Sequence, residues 1–126
     1  MSVRVMVVDD TDHVRTMLAE MLELDGFEVV LRAANGDEAV AGIDAADPDV
    51  VVMDLKMPGI DGLETTRRIK AARPTQPVIL YTAYLDPVIE AQAKEVGVTL
   101  CLGKIDGLPE LERQISRLTL ELAGDA

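Results

Sequence analysis

The 126-residue chain has the length of one domain, and its 23 acidic and 12 basic residues give it a formal charge of -11. That charge opposes direct binding to nucleic-acid phosphates, and a single cysteine excludes an internal disulfide. Because no apolar run is long enough for a signal peptide or a membrane span, we expect residues 1–126 to form one cytoplasmic domain with no membrane contact.

The first two strands are each predicted to precede an amphipathic helix. Residues 3–8 form an apolar strand that ends at Asp9-Asp10, and residues 27–31 form the second strand. Helices are predicted where apolar side chains recur three and four residues apart. The predicted buried face of the first helix comprises Val14, Met17, Leu18, Met21 and Leu22, and that of the second comprises Ala39, Val40 and Ile43.

The third strand is the most distinctive stretch of the chain. Residues 50–53 are all apolar, so this strand is predicted to be buried on both faces of a sheet. Asp54 follows it, and Pro58-Gly59 forces a turn because proline has no amide proton and glycine tolerates positive φ. A carboxylate is therefore held at the C-terminal end of a central strand, where open parallel sheets bind ligands.

The second half of the chain repeats this alternation. Strands are predicted at residues 78–81, finishing at Thr82, and at residues 98–102, followed by Lys104. Three further helix faces are predicted: Leu63, Thr66 and Ile69; Val88, Ala91 and Val96; and Leu108, Leu111, Ile115, Leu118 and Leu122. Five strands alternating with five helices predict an α/β fold, a single doubly wound (βα)5 domain whose parallel sheet is covered by helices on both faces.

Four of the five strands end in residues suited to chemistry, and a doubly wound sheet would gather them into one crevice. These residues are Asp9 and Asp10, Asp54, Thr82 and Lys104. Two carboxylates about 4 Å apart repel by roughly 4 kcal/mol at an effective dielectric near 20, so a positive group must lie among them. Lys104 supplies one charge, and hard oxygen ligands predict Mg²⁺ as another.

This set of groups suits phosphoryl transfer. Asp54 would be the in-line nucleophile, Thr82 would donate a hydrogen bond, and Lys104 with the metal would neutralise charge on the phosphoryl oxygens. Each residue taken singly has an ordinary alternative. The acidic pair could serve only to stabilise the N-terminus of a helix, and Asp54 could serve only to form a turn. Thr82 is common at the end of a strand, and Lys104 could be an ordinary solvent-exposed residue.

Several motifs together resemble the receiver domain of response regulators, the phosphoaspartate switch of two-component signalling. They are VVDD at residues 7–10, MDLKMPGIDGLE at residues 53–64, Thr82-Ala83, and Lys104 after the last strand. The resemblance spans essentially the whole chain. It implies a chemotaxis-regulator-like sheet of strand order 2-1-3-4-5.

The resemblance also implies roles for individual residues. Asp54 would be the phosphoacceptor, read by Thr82 and Lys104. The protein ligands of Mg²⁺ would be Asp9, Asp10, Asp54 and the backbone carbonyl of Lys56. The implied phosphodonor is a histidine kinase, with small phosphodonors as a substitute. The surface of the last two helices would then control a downstream protein or output domain, or form a homodimer.

The chain departs from the family pattern at two positions. Cys101 stands where the family usually has an aromatic ring that swings inward on activation, although Tyr84 could offer another ring near the pocket. Ile105 replaces a proline that many receivers hold in the cis form. Since a non-proline cis bond costs about 3 kcal/mol, we expect a trans bond after Lys104. Receivers joined to helix-turn-helix DNA-binding domains often lack that proline.

Two further expectations and three alternatives complete the interpretation. Lys56 and Tyr84 are expected to modulate hydrolysis of the acyl phosphate, and the chemistry is expected to be self-modification rather than enzymatic turnover. The alternatives are a receiver-like interaction module that never uses phosphate, the receiver part of a longer DNA-binding regulator, and a Mg²⁺-dependent phosphohydrolase. Phosphohydrolases that resemble haloacid dehalogenases place a second Asp two residues after the first, which adjacent Asp9-Asp10 does not match.

Overall fold

The chain folds as five parallel strands alternating with five α-helices. The computed structural model describes the backbone of residues 2–124 and the side chains of residues 2–120. The strands are β1 Arg4–Val8, β2 Glu28–Ala33, β3 Val50–Met53, β4 Val78–Thr82 and β5 Leu100–Gly103. The helices are α1 Asp12–Leu24, α2 Gly36–Ala46, α3 Gly62–Ala72, α4 Pro87–Val96 and α5 Leu108–Gly124, with a short 3-10 helix at Lys104–Asp106. The sheet order β2-β1-β3-β4-β5 confirms the predicted topology.

Two hydrophobic cores lie on opposite faces of the sheet. Side chains of α2, α3 and α4 pack on one face, and those of α1 and α5 pack on the other. β3 serves both cores, because Val51 and Met53 point to the first while Val50 and Val52 point to the second. The predicted burial of β3 on both faces is therefore confirmed, and Asp54 follows a strand that is buried at every position.

The predicted buried face of α1 is partly wrong. Leu18 and Leu22 are buried as expected, and Ala19 joins them, but Met17 is 59% exposed and Met21 is also exposed. The reason is that apolar residues stand side by side in the sequence at 17–18 and 21–22. Met17 with Met21 and Leu18 with Leu22 both have the spacing of a helical face. Packing against the sheet buries the two leucines and leaves the two methionines exposed.

The predicted inner face of α4 is also partly wrong. Val88 is 64% exposed and Ala91 is exposed, whereas Ala93 is fully buried and Ile89 packs partly against the same core. A ten-residue helix with few large apolar side chains gives little periodic signal. In α5 the predicted stripe is correct at Leu111 and Ile115, with Leu108 and Leu118 partly buried, and the side chain of Leu122 lies outside the described residues.

None of the helices in the described part of the chain combines the length and the apolar character that crossing a membrane would require.

Candidate functional site

The ends of β1 and β3 bring three carboxylates together. β1 and β3 pair in register with Val8 opposite Met53, so Asp9 and Asp54 follow at the same edge of the sheet. The amide of Asp54 donates to the carbonyl of Val8 at 2.9 Å, which fixes that alignment. One carboxylate oxygen from each of Asp9, Asp10 and Asp54 lies within 4.8 Å of the others. The structure therefore brings together all three acids that the sequence predicted for the site.

The turn after Asp54 is held close to it by glycine. The Gly62 amide donates to the Leu55 carbonyl at 2.7 Å, and a Cβ at Gly62 would lie 2.1 Å from the backbone oxygen of Asp54. Gly59 has φ +78°, the positive value expected for the predicted turn. The Leu55 amide also donates to Asp54 Oδ1 at 2.9 Å. Gly62 is thus a requirement for the geometry of Asp54 that the sequence pattern did not single out.

Lys104 reaches into the cluster of acids from the opposite side. Thr82 of β4 pairs with Gly103 of β5, so Lys104 leaves the sheet next to the end of β4. Its Nζ lies 3.0 Å from Asp9 Oδ2 and 3.6 Å from Asp54 Oδ2. The ammonium that the sequence predicted among the carboxylates is therefore there, between the ends of β1 and β3.

The positive charge near Asp54 does not balance the effects of burial and of the neighbouring carboxylates. Burial raises the pKa of the Asp54 carboxyl, the charge of Lys104 counteracts this, and the charges of Asp9 and Asp10 raise the pKa further. Burial lowers the pKa of Lys104, but the hydrogen bond to Asp9 and the charge of Asp54 outweigh it, so the pKa of the amine is raised. Lys104 therefore stays an ammonium, and the cluster as a whole favours a further cation.

The donor set of the cluster fits Mg²⁺. Three carboxylates close enough to share an ion are hard oxygen ligands, which Mg²⁺ prefers and usually supplements with water. The oxygens of Asp9 already have partners, because the Thr11 amide donates to Oδ1 at 2.9 Å and Lys104 contacts Oδ2. Asp54 is held in the same way, because the Leu55 amide donates to its Oδ1 and Lys104 lies near its Oδ2. Each carboxylate oxygen keeps a second acceptor site, so all three acids could contribute to a bound ion. The Lys56 carbonyl as a further ligand stays a prediction.

Thr82 and two exposed side chains form the rim of the site. Thr82 is fully buried at the end of β4, and its Oγ1 accepts a hydrogen bond from the Tyr84 amide at 3.1 Å. The hydroxyl proton of Thr82 remains available to an acceptor in the crevice. On the outer side, Lys56 Nζ lies 4.0 Å from the centroid of the Tyr84 ring, a cation–π contact that bridges the loops after β3 and β4.

The two departures from the family pattern have clear structural correlates. Cys101 is partly buried against the core under α4, and burial raises the pKa of its thiol, which makes it a small apolar packing residue. All described peptide bonds are trans, which confirms the expectation for the bond after Lys104. Ile105 is 97% exposed, so the loop that follows Lys104 presents an apolar side chain to solvent.

One residue that the sequence pattern did not indicate contacts the acidic pair. Arg15 of α1 donates from Nη1 to the backbone carbonyl of Asp9 at 2.8 Å. An arginine on the first turns of a helix has no spacing or motif that would predict such a contact, which depends on the curvature of the turn between β1 and α1.

Comparison with known proteins gives one family. The model of the response regulator receiver domain matches residues 5–116. The response regulator GacA of Pseudomonas viridiflava is 39% identical over 114 residues, which are 90% of this chain and 53% of that protein. The protein-glutamate methylesterase/protein-glutamine glutaminase of Natronomonas pharaonis is 48% identical over 80 residues, which are 64% of this chain and 22% of that protein.

A solved structure matches over nearly its full length. The chemotaxis protein CheY4 of Vibrio cholerae has a TM-score of 0.85 and 30% identity, with 94% of this chain and 99% of that chain covered. By contrast, the chain spans about half the length of GacA and about a fifth of the methylesterase.

Proposed function

Since the chain belongs to the response regulator receiver family, the phosphoacceptor switch of two-component systems, we propose that Asp54 is the residue that accepts the phosphoryl group. The observation that carries this proposal is the position of the Lys104 ammonium, 3.6 Å from Asp54 Oδ2, inside a cluster of three carboxylates at the end of the central strand. An oxygen nucleophile, a fixed positive charge and a candidate cation site are the parts that phosphoryl transfer needs.

The residues divide the reaction among them. A carboxylate oxygen of Asp54 attacks phosphorus in line, the new P–O bond forms, and the bond to the donor breaks with its electron pair leaving on the donor atom. Lys104 and the Thr82 hydroxyl contact the phosphoryl oxygens and hold the transferred group. Mg²⁺, held by Asp9, Asp10, Asp54 and the Lys56 carbonyl, would neutralise phosphoryl charge when bound. Because Asp54 itself is modified, the domain switches rather than turns over a substrate.

The partners follow from this switch. We propose a histidine kinase as the phosphodonor, with small acyl phosphates as a substitute, and the cytoplasm as the compartment of the chain. Phosphorylation would shift the equilibrium between two conformations and alter the surface of α4, β5 and α5, where an output domain, a downstream protein or a second copy of the chain would bind. Residues 1–126 would then be one receiver domain, acting either alone or as the receiver part of a longer DNA-binding regulator.

Intact-protein mass spectrometry tests the proposal. Incubation with Mg²⁺ and acetyl phosphate is expected to add one phosphoryl group to the wild-type chain, and none to Asp54→Asn or to the wild type in EDTA. Asp37→Asn, an exposed acid on α2, is the matched control and is expected to label like the wild type.

The same experiment separates the alternatives. A wild-type chain that takes no phosphoryl group would favour an interaction module that works without phosphorylation. Steady turnover of a phosphomonoester such as p-nitrophenyl phosphate would instead favour a phosphohydrolase, and labelling that persists in Asp54→Asn would place the acceptor elsewhere.

We also propose that the contact between Lys56 and Tyr84 controls the lifetime of the acyl phosphate. Lys56 lies two residues after Asp54, and its contact with Tyr84 joins the loops after β3 and β4. We expect this contact to limit the access of water to the phosphorus. Removing either side chain is expected to shorten the dephosphorylation half-life by about twofold to fivefold, as exposed cation–π contacts are worth about 0.5–1 kcal/mol. Lys56→Ala and Tyr84→Ala are measured by decay of the labelled mass, and a half-life unchanged in both variants contradicts the proposal.

A further inference from the structure

Arg15 ties together the two ends of the turn that carries the acidic pair. It lies on the first turns of α1, its side chain is 16% exposed, and its guanidinium points back toward the end of β1. Nη1 donates to the Asp9 carbonyl at 2.8 Å, and Nη2 donates to Asp12 Oδ1 at 2.6 Å. The planar guanidinium thereby bridges the residue after β1 and the first residue of α1 with two different nitrogens, a fixed fork that the single ammonium nitrogen of a lysine does not provide.

The carbonyl that Arg15 holds belongs to the peptide between the two acids. Asp9 is already fixed at its amide, which donates to the Ala33 carbonyl at 3.1 Å, and at its carboxylate by Thr11 and Lys104. The orientation of the next peptide plane decides where the Asp10 side chain points. The bond from Arg15 to the Asp9 carbonyl is the contact that fixes that plane.

The positive charge of Arg15 is largely neutralised by Asp12. The 2.6 Å pair with Asp12 offsets the guanidinium charge, and Arg15 takes a backbone carbonyl instead of a carboxylate oxygen of the cluster. Its removal therefore changes the field at the cluster little, but frees the peptide that leads to Asp10. Geometry and charge predict opposite effects on cation binding, because loss of a nearby positive charge alone would strengthen it.

We propose that Arg15 is a positioning residue for Asp9 and Asp10, which orients the pair toward a divalent cation without contacting the cation or the phosphoryl group. This inference rests on the proposed function, in which that cation is Mg²⁺. Residues that orient metal ligands typically change affinity by about 10–100-fold when they are removed.

Isothermal titration with MgCl₂ tests the role of Arg15. Arg15→Met is expected to weaken Mg²⁺ binding about tenfold. Arg15→Lys, which keeps the charge but not the bridge, is expected to weaken it about threefold. The matched control is Arg32→Met. This change removes an arginine whose ion pair, with Glu23 at 2.7 Å, is not part of the acidic cluster, so the variant is expected to bind Mg²⁺ like the wild type.

A second measurement distinguishes positioning from a general loss of structure. The Mg²⁺ concentration that gives half the maximal rate of labelling by acetyl phosphate is expected to rise in Arg15→Met, while the rate at saturating Mg²⁺ stays within about twofold of the wild type. Circular dichroism reports whether the variant is folded, and if it is not, Arg15→Lys decides.

The outcomes separate the two proposals. Unchanged or tighter Mg²⁺ binding in the folded Arg15 variants overturns the positioning role and leaves the function standing. A wild-type chain that binds no Mg²⁺ overturns both. A fall in the saturating rate with no change in the half-saturating Mg²⁺ concentration also overturns the positioning role.

Discussion

At the scale of single residues, the site is assembled by strand ends and refined by contacts that spacing does not encode. The positions of Asp9, Asp54 and Lys104 were predictable because parallel strands place their carboxyl ends at one edge. The contact of Arg15 with the Asp9 carbonyl and the close approach of Gly62 to Asp54 were not, because each depends on the path of a loop.

Lys104 is expected to compete with the metal for the acidic cluster. Its ammonium contacts Asp9 Oδ2 and lies near Asp54, so it both occupies an oxygen and repels a second cation. Lys104→Met is therefore expected to bind Mg²⁺ about tenfold more tightly than the wild type, as measured by isothermal titration, because a nearby positive charge is worth at least 1 kcal/mol in this partly buried setting. The sign is the opposite of that expected for Arg15→Met.

An exposed lysine provides the control for this change. Lys94 lies on the outer side of α4, and Lys94→Met is expected to leave the Mg²⁺ affinity unchanged. Weaker binding in Lys104→Met would mean that the amine organises the carboxylates more than it competes for them.

At the scale of elements, strands were easier to predict than the rotation of helices. Uniformly apolar runs identified β3 and β4 because only a doubly covered strand buries every side chain. The sequence did not determine which face of α1 or α4 is buried. Apolar residues are adjacent in α1 and sparse in α4, so in both helices the pattern is compatible with more than one buried face.

The packing of α5 includes an acid pair that makes stability depend on pH. Among the described side chains, Glu112 Oε2 is buried without a hydrogen-bond donor. Its neighbour is the carboxyl of Asp25 at the end of α1, which also offers only acceptors when ionised. Arg113 pairs with Glu110 and Arg32 pairs with Glu23, so these two arginines have other partners. A proton shared between the two carboxyls satisfies both. Burial and the neighbouring Asp25 raise the pKa of Glu112 to about 7.

The sign of the pH effect follows from this shift. The unfolded chain releases the Glu112 proton near its ordinary pKa of 4.5, whereas the folded chain keeps it until about 7, so stability falls as the pH rises through this window. Glu112→Gln is expected to flatten that part of the profile and to raise the free energy of unfolding at pH 8 by about 1 kcal/mol. Urea denaturation at several pH values measures it.

The control for the acid pair is an exposed glutamate. Glu20→Gln on α1 is expected to leave the slope between pH 4.5 and 7 as in the wild type. An identical slope in Glu112→Gln and the wild type would show that the two carboxyls do not share a proton in the folded chain.

At the scale of the whole molecule, the fold brings acids that are far apart in the sequence into one site. Strand order 2-1-3-4-5 places β1 and β3 side by side at the centre of the sheet, so acids 45 residues apart in sequence meet at one edge. α4 and α5 lie on opposite faces of the sheet next to β5, and Lys104 leaves β5 directly into the site. A movement of Lys104 toward a phosphoryl group would therefore change the packing of both helices against β5.

A structure of the chain with Mg²⁺ and beryllium fluoride, a mimic of the acyl phosphate, tests this arrangement most directly. We expect beryllium bonded to an Asp54 carboxylate oxygen, the cation on Asp9, Asp10 and Asp54, and the Lys104 ammonium and Thr82 hydroxyl on the fluorines. An Asp54 carboxylate without beryllium, or a Lys104 amine still bonded to Asp9 and out of reach of the fluorines, would contradict the assignment of these residues to a phosphorylation switch.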